Sequence, residues 1–192
     1  MADEYRNFAA LAAKKQEGKH YRVSKSKRPS PFLVAAPHGG RIEPNTSVLA
    51  RAIAGVSHSL YVFESIVPKL HITSSRFDEP RALEMATAHR TVVTVHGCDD
   101  ARSPTVDVFV GGLDRPLRDR IIKELNAAGF QSAIDNVTTG RSECNLCNKG
   151  TGRTGAQLEI TRRLRRRLSG MIGTAGAARR RAFASAVRRA FA

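Results

Sequence analysis

Apolar and polar positions recur along this chain with two periods, and their order predicts its architecture. Near the start, Tyr5, Phe8 and Leu11 or Ala12 share one helical face over residues 4–16. Glu17 and Gly18 end that helix, glycine being the usual residue just past a helix terminus. Residues 22–30, crowded with Arg, Lys, Ser and Pro, read as a basic linker. Residues 32–36 are an unbroken apolar run, the mark of a buried strand, and Pro37 breaks it. Val48, Leu49, Ala52, Ile53 and Val56 then return to helical spacing over residues 46–56, with Asn45 or Thr46 able to cap the first turn. Two β-rich runs, residues 60–66 and 70–74, lie either side of Pro68 and Lys69 and predict a hairpin or tight connection.

Further on, Asp78, Glu79 and Pro80 read as a helix start carrying Leu83, Met85 and Ala86 to about His89. Residues 91–95 predict another buried strand, and residues 106–110 a strand with less regular alternation. Residues 115–128 form the clearest helix, with Leu117, Ile121, Ile122 and Leu125 on one side and Gly129 ending it. A strand over 130–137, a loop over 138–154, a last strand over 156–160 and an arginine-rich helix complete the pattern. Strands alternating with helices predict one α/β domain with a mixed, mostly parallel sheet flanked by helices.

Composition fits that reading. The 192 residues, 41% hydrophobic and 26% charged, suffice for one core, and with no Trp the aliphatic side chains must fill it. No apolar stretch approaches the ~18 residues of a membrane span. The first residues lack a basic region followed by an apolar one, so no secretory signal is expected. The reading is therefore cytoplasmic as synthesised, with action outside the cell after release. Three cysteines, an odd number, argue for reduced thiols rather than a disulfide framework.

Charge divides the chain. Ten arginines and no acidic residue lie beyond Thr161, leaving only +5 of the formal net +15 for residues 1–160. Such a tail would bind polyanions non-specifically, nucleic acid among them; a solvated helical end is the blander account.

Candidate chemistry gathers where strands end. His38 leaves the first buried run into Gly39-Gly40, with Glu43 shortly after, and His96-Gly97 ends the strand predicted at 91–95. If those strands are parallel in one sheet, both imidazoles emerge on the same edge. Two histidines and a carboxylate make a three-ligand zinc set with a fourth position open. Glu159, in an otherwise apolar strand, is the candidate general base, since an unpaired carboxylate there is costly. His71 is the other histidine that could join; His20, His58 and His89 read as surface or core. Cys144 and Cys147 have a two-residue spacing but no second pair, and read as thiols shaping a loop. The glycines at 150, 152 and 155 lack the end of a P-loop and precede a strand. They more plausibly fold a loop over a cleft and bring Arg153 to a substrate carboxylate.

These residues resemble the phage-associated poly-γ-glutamate hydrolases, a zinc carboxypeptidase-like family. The resemblance runs through residues 5–11, 36–43, 61–63, 70–74, 77–80, 95–98, 147–150 and 155–159. It implies a zinc carboxypeptidase-like fold and one Zn²⁺ held by His38, Glu43 and His96. It also implies that Glu159 promotes attack of a metal-activated water on the γ-glutamyl amides of the polymer. The gap between His38 and Glu43 exceeds the two-residue gap of typical carboxypeptidases, so the Gly39-Gly40 turn must absorb it. Arg41, Arg76, Arg141 and Arg153, in loops beside the expected site, are candidates for holding substrate carboxylates. The implied division is a zinc hydrolase domain over 1–168 and an Arg/Ala-rich helical extension over 169–192, whose role the resemblance leaves open. The alternatives are a nucleic-acid-binding accessory protein or an amidohydrolase of small N-acyl amino acids on the same fold.

Overall fold

In the computed structural model, which describes residues 3–171 and 174–192, all strands join one sheet. They are β1 (Tyr21–Ser26), β2 (Phe32–Gly40), β3 (Ser59–Ser65), β4 (Thr91–Cys98), β5 (Val108–Gly111), β6 (Ser132–Ile134) and β7 (Ala156–Thr161). Their spatial order is β1-β3-β2-β4-β7-β5-β6. The central strands β3, β2, β4 and β7 run parallel; β1 and β5 are antiparallel to their neighbours β3 and β7. The sheet is thus mixed and mostly parallel, as the alternation of elements predicts.

Central parallel strands are covered on both faces, which is why they read as continuous apolar runs. In β2, Val34 and Ala36 face a core shared with α2 (Thr46–Ala54), α4 (Arg115–Ala127) and α6 (Ala175–Arg189). Leu33 and Ala35 face the other core, which holds Tyr5 and Leu11 beside α1 (Phe8–Ala12) and Met85 from α3 (Pro80–Thr87).

Three expectations need correction. The segment read as a basic linker begins as β1, an edge strand whose Arg22, Lys25 and polar neighbours mask its period. Charged residues on an edge also discourage pairing with another chain. Residues 70–74 form no strand: Leu70 and Ile72 are fully buried, so their apolar signal reflects packing, and a single 3-10 turn over Ser74–Arg76 follows. The cap of α3 is Glu79, whose carboxylate accepts from Ala82 N at 2.8 Å, while Asp78 accepts from Phe8 N at 2.6 Å.

The C-terminal extension is built into the fold. Phe183, Ala184, Ala186 and Val187 of α6 are buried in the same core as β2 and β4, and Phe183 meets Phe130 edge-on at 5.2 Å. The arginines of α6 serve the protein itself. Arg188 donates to Ala52 O at 2.6 Å and Ile53 O at 3.3 Å, carbonyls in the last turn of α2. Arg180 donates to Leu168 O and Gly170 O at 2.7 and 2.8 Å. Cations at these positions satisfy carbonyls that a helix end leaves without partners. Phe183→Ala is therefore expected to cost about 3–5 kcal/mol of unfolding free energy. A urea midpoint close to that of the unaltered protein would show that α6 does not belong to the core.

Candidate active site

The site begins with how β2 ends. Its pairing with β3 shifts register between Ala36 and Gly39, and the chain then turns on Gly40 at φ 66°. A Cβ on Gly40 would lie 2.2 Å from Ser65 O, so backbone occupies the space a side chain would need. Arg41 N donates to Ser65 O at 3.0 Å, and Glu43 N donates back to His38 O at 2.9 Å. The double glycine thus folds the chain so that His38 and Glu43, five residues apart, meet. On the parallel strand β4, His96 emerges at the same edge, and β7 places Glu159 directly beside it in register.

Four atoms then fix the geometry. His38 Nδ1 lies 3.0 Å from Glu43 Oε1 and 3.0 Å from His96 Nδ1, and His96 Nδ1 lies 3.7 Å from Glu43 Oε2. The far nitrogen of each ring is already used. His38 Nε2 donates to Ile72 O at 2.8 Å, and His96 Nε2 sits 3.2 Å from Ser74 Oγ, which can accept its proton. Neutral rings held in this tautomer turn bare lone pairs toward one another and toward a carboxylate. Such a trio repels itself unless a cation or proton lies between. Tetrahedral zinc ligands at about 2.0–2.1 Å from the ion stand roughly 3.3 Å apart, which this trio matches. Gly97 N, donating to Glu43 Oε2 at 2.8 Å, fixes the carboxylate from behind.

The charges follow from this proximity. Burial favours a neutral His38, but Glu43 outweighs it and raises the pKa of the ring; Glu43, against its own burial, is lowered by His38. Burial and the neighbouring His38 push His96 down to about 3. Glu159, 8% exposed, is raised well above the usual carboxyl range by burial, with Glu43 and Asp135 adding to the effect. Gln157 Nε2 donates to Glu159 Oε1 at 3.1 Å and is itself held by Asn145.

His71, the further histidine that the sequence allows to join, lies beside the cluster. Its Nδ1 lies 2.6 Å from Asp3 Oδ1, and its ring centre is 4.3 Å from that of His38. His38, Glu43 and His71 offer ligand atoms within 4.8 Å of one another, a second set that overlaps the first. The set with His96 has spacings of 3.0–3.7 Å, near those of tetrahedral zinc ligands.

His38, Glu43, His71, His96 and Glu159 all line a cleft of about 980 Å³ at the carboxyl edge of the central strands. Of the arginines expected there, Arg41 and Arg141 line it. Arg76 instead pairs with Asp3, and Arg153 lines a separate hollow beside Lys149 and Glu143. Neither is among the residues that line the cleft, although Asp3, which holds Arg76, also holds the cleft-lining His71. The cleft gains arginines that sequence reading assigned to a tail or passed over: Arg102, Arg162, Arg165 and Arg166. Arg102 is held by Asp135 at 2.7 and 3.3 Å and lies over Phe109. Cys98, Cys144 and Cys147 are free thiols; buried Cys147 sits against Gly140 O at 3.6 Å and helps shape the loop over 138–155.

Fold and site together define an α/β protein with a mixed, mostly parallel sheet and a His/Glu/His cluster at the sheet's carboxyl edge. Within that class the chain belongs to the poly-gamma-glutamate hydrolase family, whose model matches residues 5–189. It is 36% identical over 182 residues to the SPbeta prophage-derived UPF0714 protein YoqZ of Bacillus subtilis (strain 168), covering 91% of this chain and 65% of YoqZ. The chain thus spans about two thirds of that relative's length. Among solved structures, a bacteriophage poly-gamma-glutamate hydrolase superposes with a TM-score of 0.88 at 28% identity, over 99% of this chain and 97% of that one. YndL in a zinc-free form superposes equally well, with a TM-score of 0.88 at 32% identity over 99% and 98% of the two chains. At 14% identity a putative carboxypeptidase A from Shewanella denitrificans OS-217 shares the fold, with a TM-score of 0.50 over 88% of this chain and 59% of that one. No helix among the described residues is long and apolar enough to cross a membrane.

The turn that joins the two donors is directly testable. Gly40→Ala combines a left-handed backbone with a clash against Ser65 O and is expected to cost more than about 1–2 kcal/mol. A variant with unchanged thermal stability would show that the turn has freedom this geometry denies it.

Proposed function

We propose that this protein is a zinc-dependent hydrolase of the γ-glutamyl amide bonds of poly-γ-glutamate. The observation that carries the proposal is the trio of buried lone-pair donors, His38 Nδ1, His96 Nδ1 and the Glu43 carboxylate, spaced 3.0–3.7 Å apart. Membership of the family supports the substrate, and the zinc-free form of its relative YndL supports the metal. Bound there, zinc would supply Lewis acidity, polarising an amide carbonyl and making water acidic enough to attack near neutral pH.

The chain's own residues do the rest. Ile72 O and Ser74 hold the two imidazoles in the tautomer that leaves Nδ1 free, the supporting role usual behind metal-binding histidines. Glu159 takes a proton from the attacking water and passes it to the leaving amine. Two opposing influences set its readiness: burial and neighbouring carboxylates keep a proton on, whereas the charge of a bound dication takes it off. Gln157 orients that carboxyl. Arg41 and Arg141, exposed at the cleft and without an ion pair among the described residues, hold substrate carboxylates near the scissile bond. Four of the five arginines of α6, all but Arg181, contact carbonyls, Glu124 or Phe130, a use that calls for no polyanion.

Two measurements test this. Purified protein should carry about one zinc per chain by elemental analysis. Glu159→Gln should keep that zinc while hydrolysis of the polymer falls by roughly 10²–10⁴; undiminished turnover would end the role assigned to Glu159. Zinc titration of His96→Ala and His71→Ala separates the two ligand sets. Loss of tight binding is expected in the first only, and the reverse result would make His71 the third ligand.

A further inference from the structure

We propose that α5 (Arg162–Arg167), the arginine-rich helix that follows β7, is a comb that grips free carboxylates of the polymer beyond the unit being cleaved. Arg162 and Arg166 are its teeth and Arg165 its anchor. The inference rests on poly-γ-glutamate being the substrate and extends it to residues of a segment that otherwise reads as a basic tail.

Three roles divide the arginines of this helix. Arg163 and Arg167 face the connection between β4 and β5. Arg163 donates to Ser103 O at 2.7 Å, and Arg167 pairs with Asp107 at 2.9 Å. Arg165 is buried and faces the site from behind. Its guanidinium donates to Pro44 O at 2.6 Å, Cys98 O at 3.3 Å and Ile160 O at 3.0 Å. Pro44 directly follows Glu43, and Cys98 lies two residues past His96, so one side chain ties α5 to both donor-bearing segments. Gly97 is what lets it pass: a Cβ there would come within 2.5 Å of the Arg165 guanidinium carbon. The helix is therefore fixed in position relative to the donor cluster.

Arg162 and Arg166 remain. Both are exposed and both line the cleft. Arg166 has no ion pair among the described residues, and Arg162 has only a solvent-exposed contact with Asp99 at 3.3 Å, which a ligand can displace. They are four residues apart on one helix, hence on one face, with about 6 Å of rise between them. A γ-linked glutamate unit has five backbone bonds where an α-linked one has three. Scaled from the ~3.3–3.6 Å per residue of an extended α-chain, it repeats about every 6 Å and carries one free carboxylate per repeat. Two planar guanidinium forks at that spacing can engage successive carboxylates bidentately.

The comb is tested by binding rather than turnover alone. Fluorescence anisotropy of labelled poly-γ-glutamate is measured on the full chain, with zinc chelated so that no cleavage competes. Arg166→Ala should weaken binding about tenfold and the Arg162→Ala/Arg166→Ala pair more, with a shallower salt dependence, as loss of charge-assisted contacts predicts. Arg166→Lys should recover part of the loss, and Arg181→Ala, exposed on α6, should change nothing. On the zinc-loaded enzyme the pair should raise KM for long polymer more than for a γ-linked dimer, with little change in kcat. Polymer binding by the pair equal to that of the unaltered protein would overturn the comb while leaving the substrate standing. Absence of polymer binding by the unaltered protein would remove the substrate reading itself.

Discussion

Three acceptors held face to face are the constraint on which the rest of the structure depends. His38 Nδ1, His96 Nδ1 and the Glu43 carboxylate lie about as close as ligands of one small ion, inside a protein. Nothing in ordinary packing favours that arrangement. It persists because its surroundings over-determine it: a register shift and two glycines deliver Glu43, parallel pairing delivers His96, and a carbonyl, a serine and a backbone N–H hold the outer atoms. The surroundings thus hold the three side chains close together whatever charge lies between them, and a proton shared by His38 and Glu43 or a bound cation would each favour that arrangement.

A second consequence concerns proton affinities. Glu43 and Glu159 are both buried carboxyls near one cleft, yet they are driven apart. Glu43 sits against His38 and Gly97 N and is held low; Glu159 sits near two other carboxylates and is held high. One is held as an anion, and the other holds a proton more tightly than an ordinary carboxyl. Neighbouring carboxyls with opposite environments are the usual physical basis for dividing ligand and base roles between like residues.

How much of this was legible in the sequence varied with the distance between the signal and its cause. Strand runs and the His-Gly endings of β2 and β4 are local, and so were readable; so was Glu159, because a carboxylate in an apolar strand stands out without knowledge of its partners. The arginines failed for the converse reason. Arg153 lies with its neighbours in the separate hollow, and Arg76 follows the cleft-lining Ser74 and Ser75, but an exposed long side chain is placed by whatever partner is within reach, and Asp3 takes Arg76. Arg165 was hidden inside a charge run that looks solvated, since no local pattern shows that its guanidinium will meet carbonyls of residues 44 and 98. The same holds for β1, whose alternation is masked by lysine and arginine at an edge, and for His71, whose orientation depends on an aspartate 68 residues away.

The chain's surplus of positive charge then has a structural explanation as well as an electrostatic one. Several arginines are partnered by backbone carbonyls rather than carboxylates: Arg165 by residues 44, 98 and 160, Arg180 by 168 and 170, and Arg188 by 52 and 53. Guanidinium groups satisfied in this way brace helix ends and loops without cancelling their own charge, so the net charge survives folding. Part of it is concentrated at the cleft, around a donor trio that carries a single formal negative charge. A cation bound there leaves the cleft strongly positive, and screening over about 8 Å at physiological salt confines that field to its immediate neighbourhood. A ligand that gains from such a field must carry repeated negative charge at close range, and a neutral peptide would not. The arginines that face the cleft thus give it a field that favours an extended polyanion over a neutral peptide, while those of α6 brace the fold against backbone carbonyls.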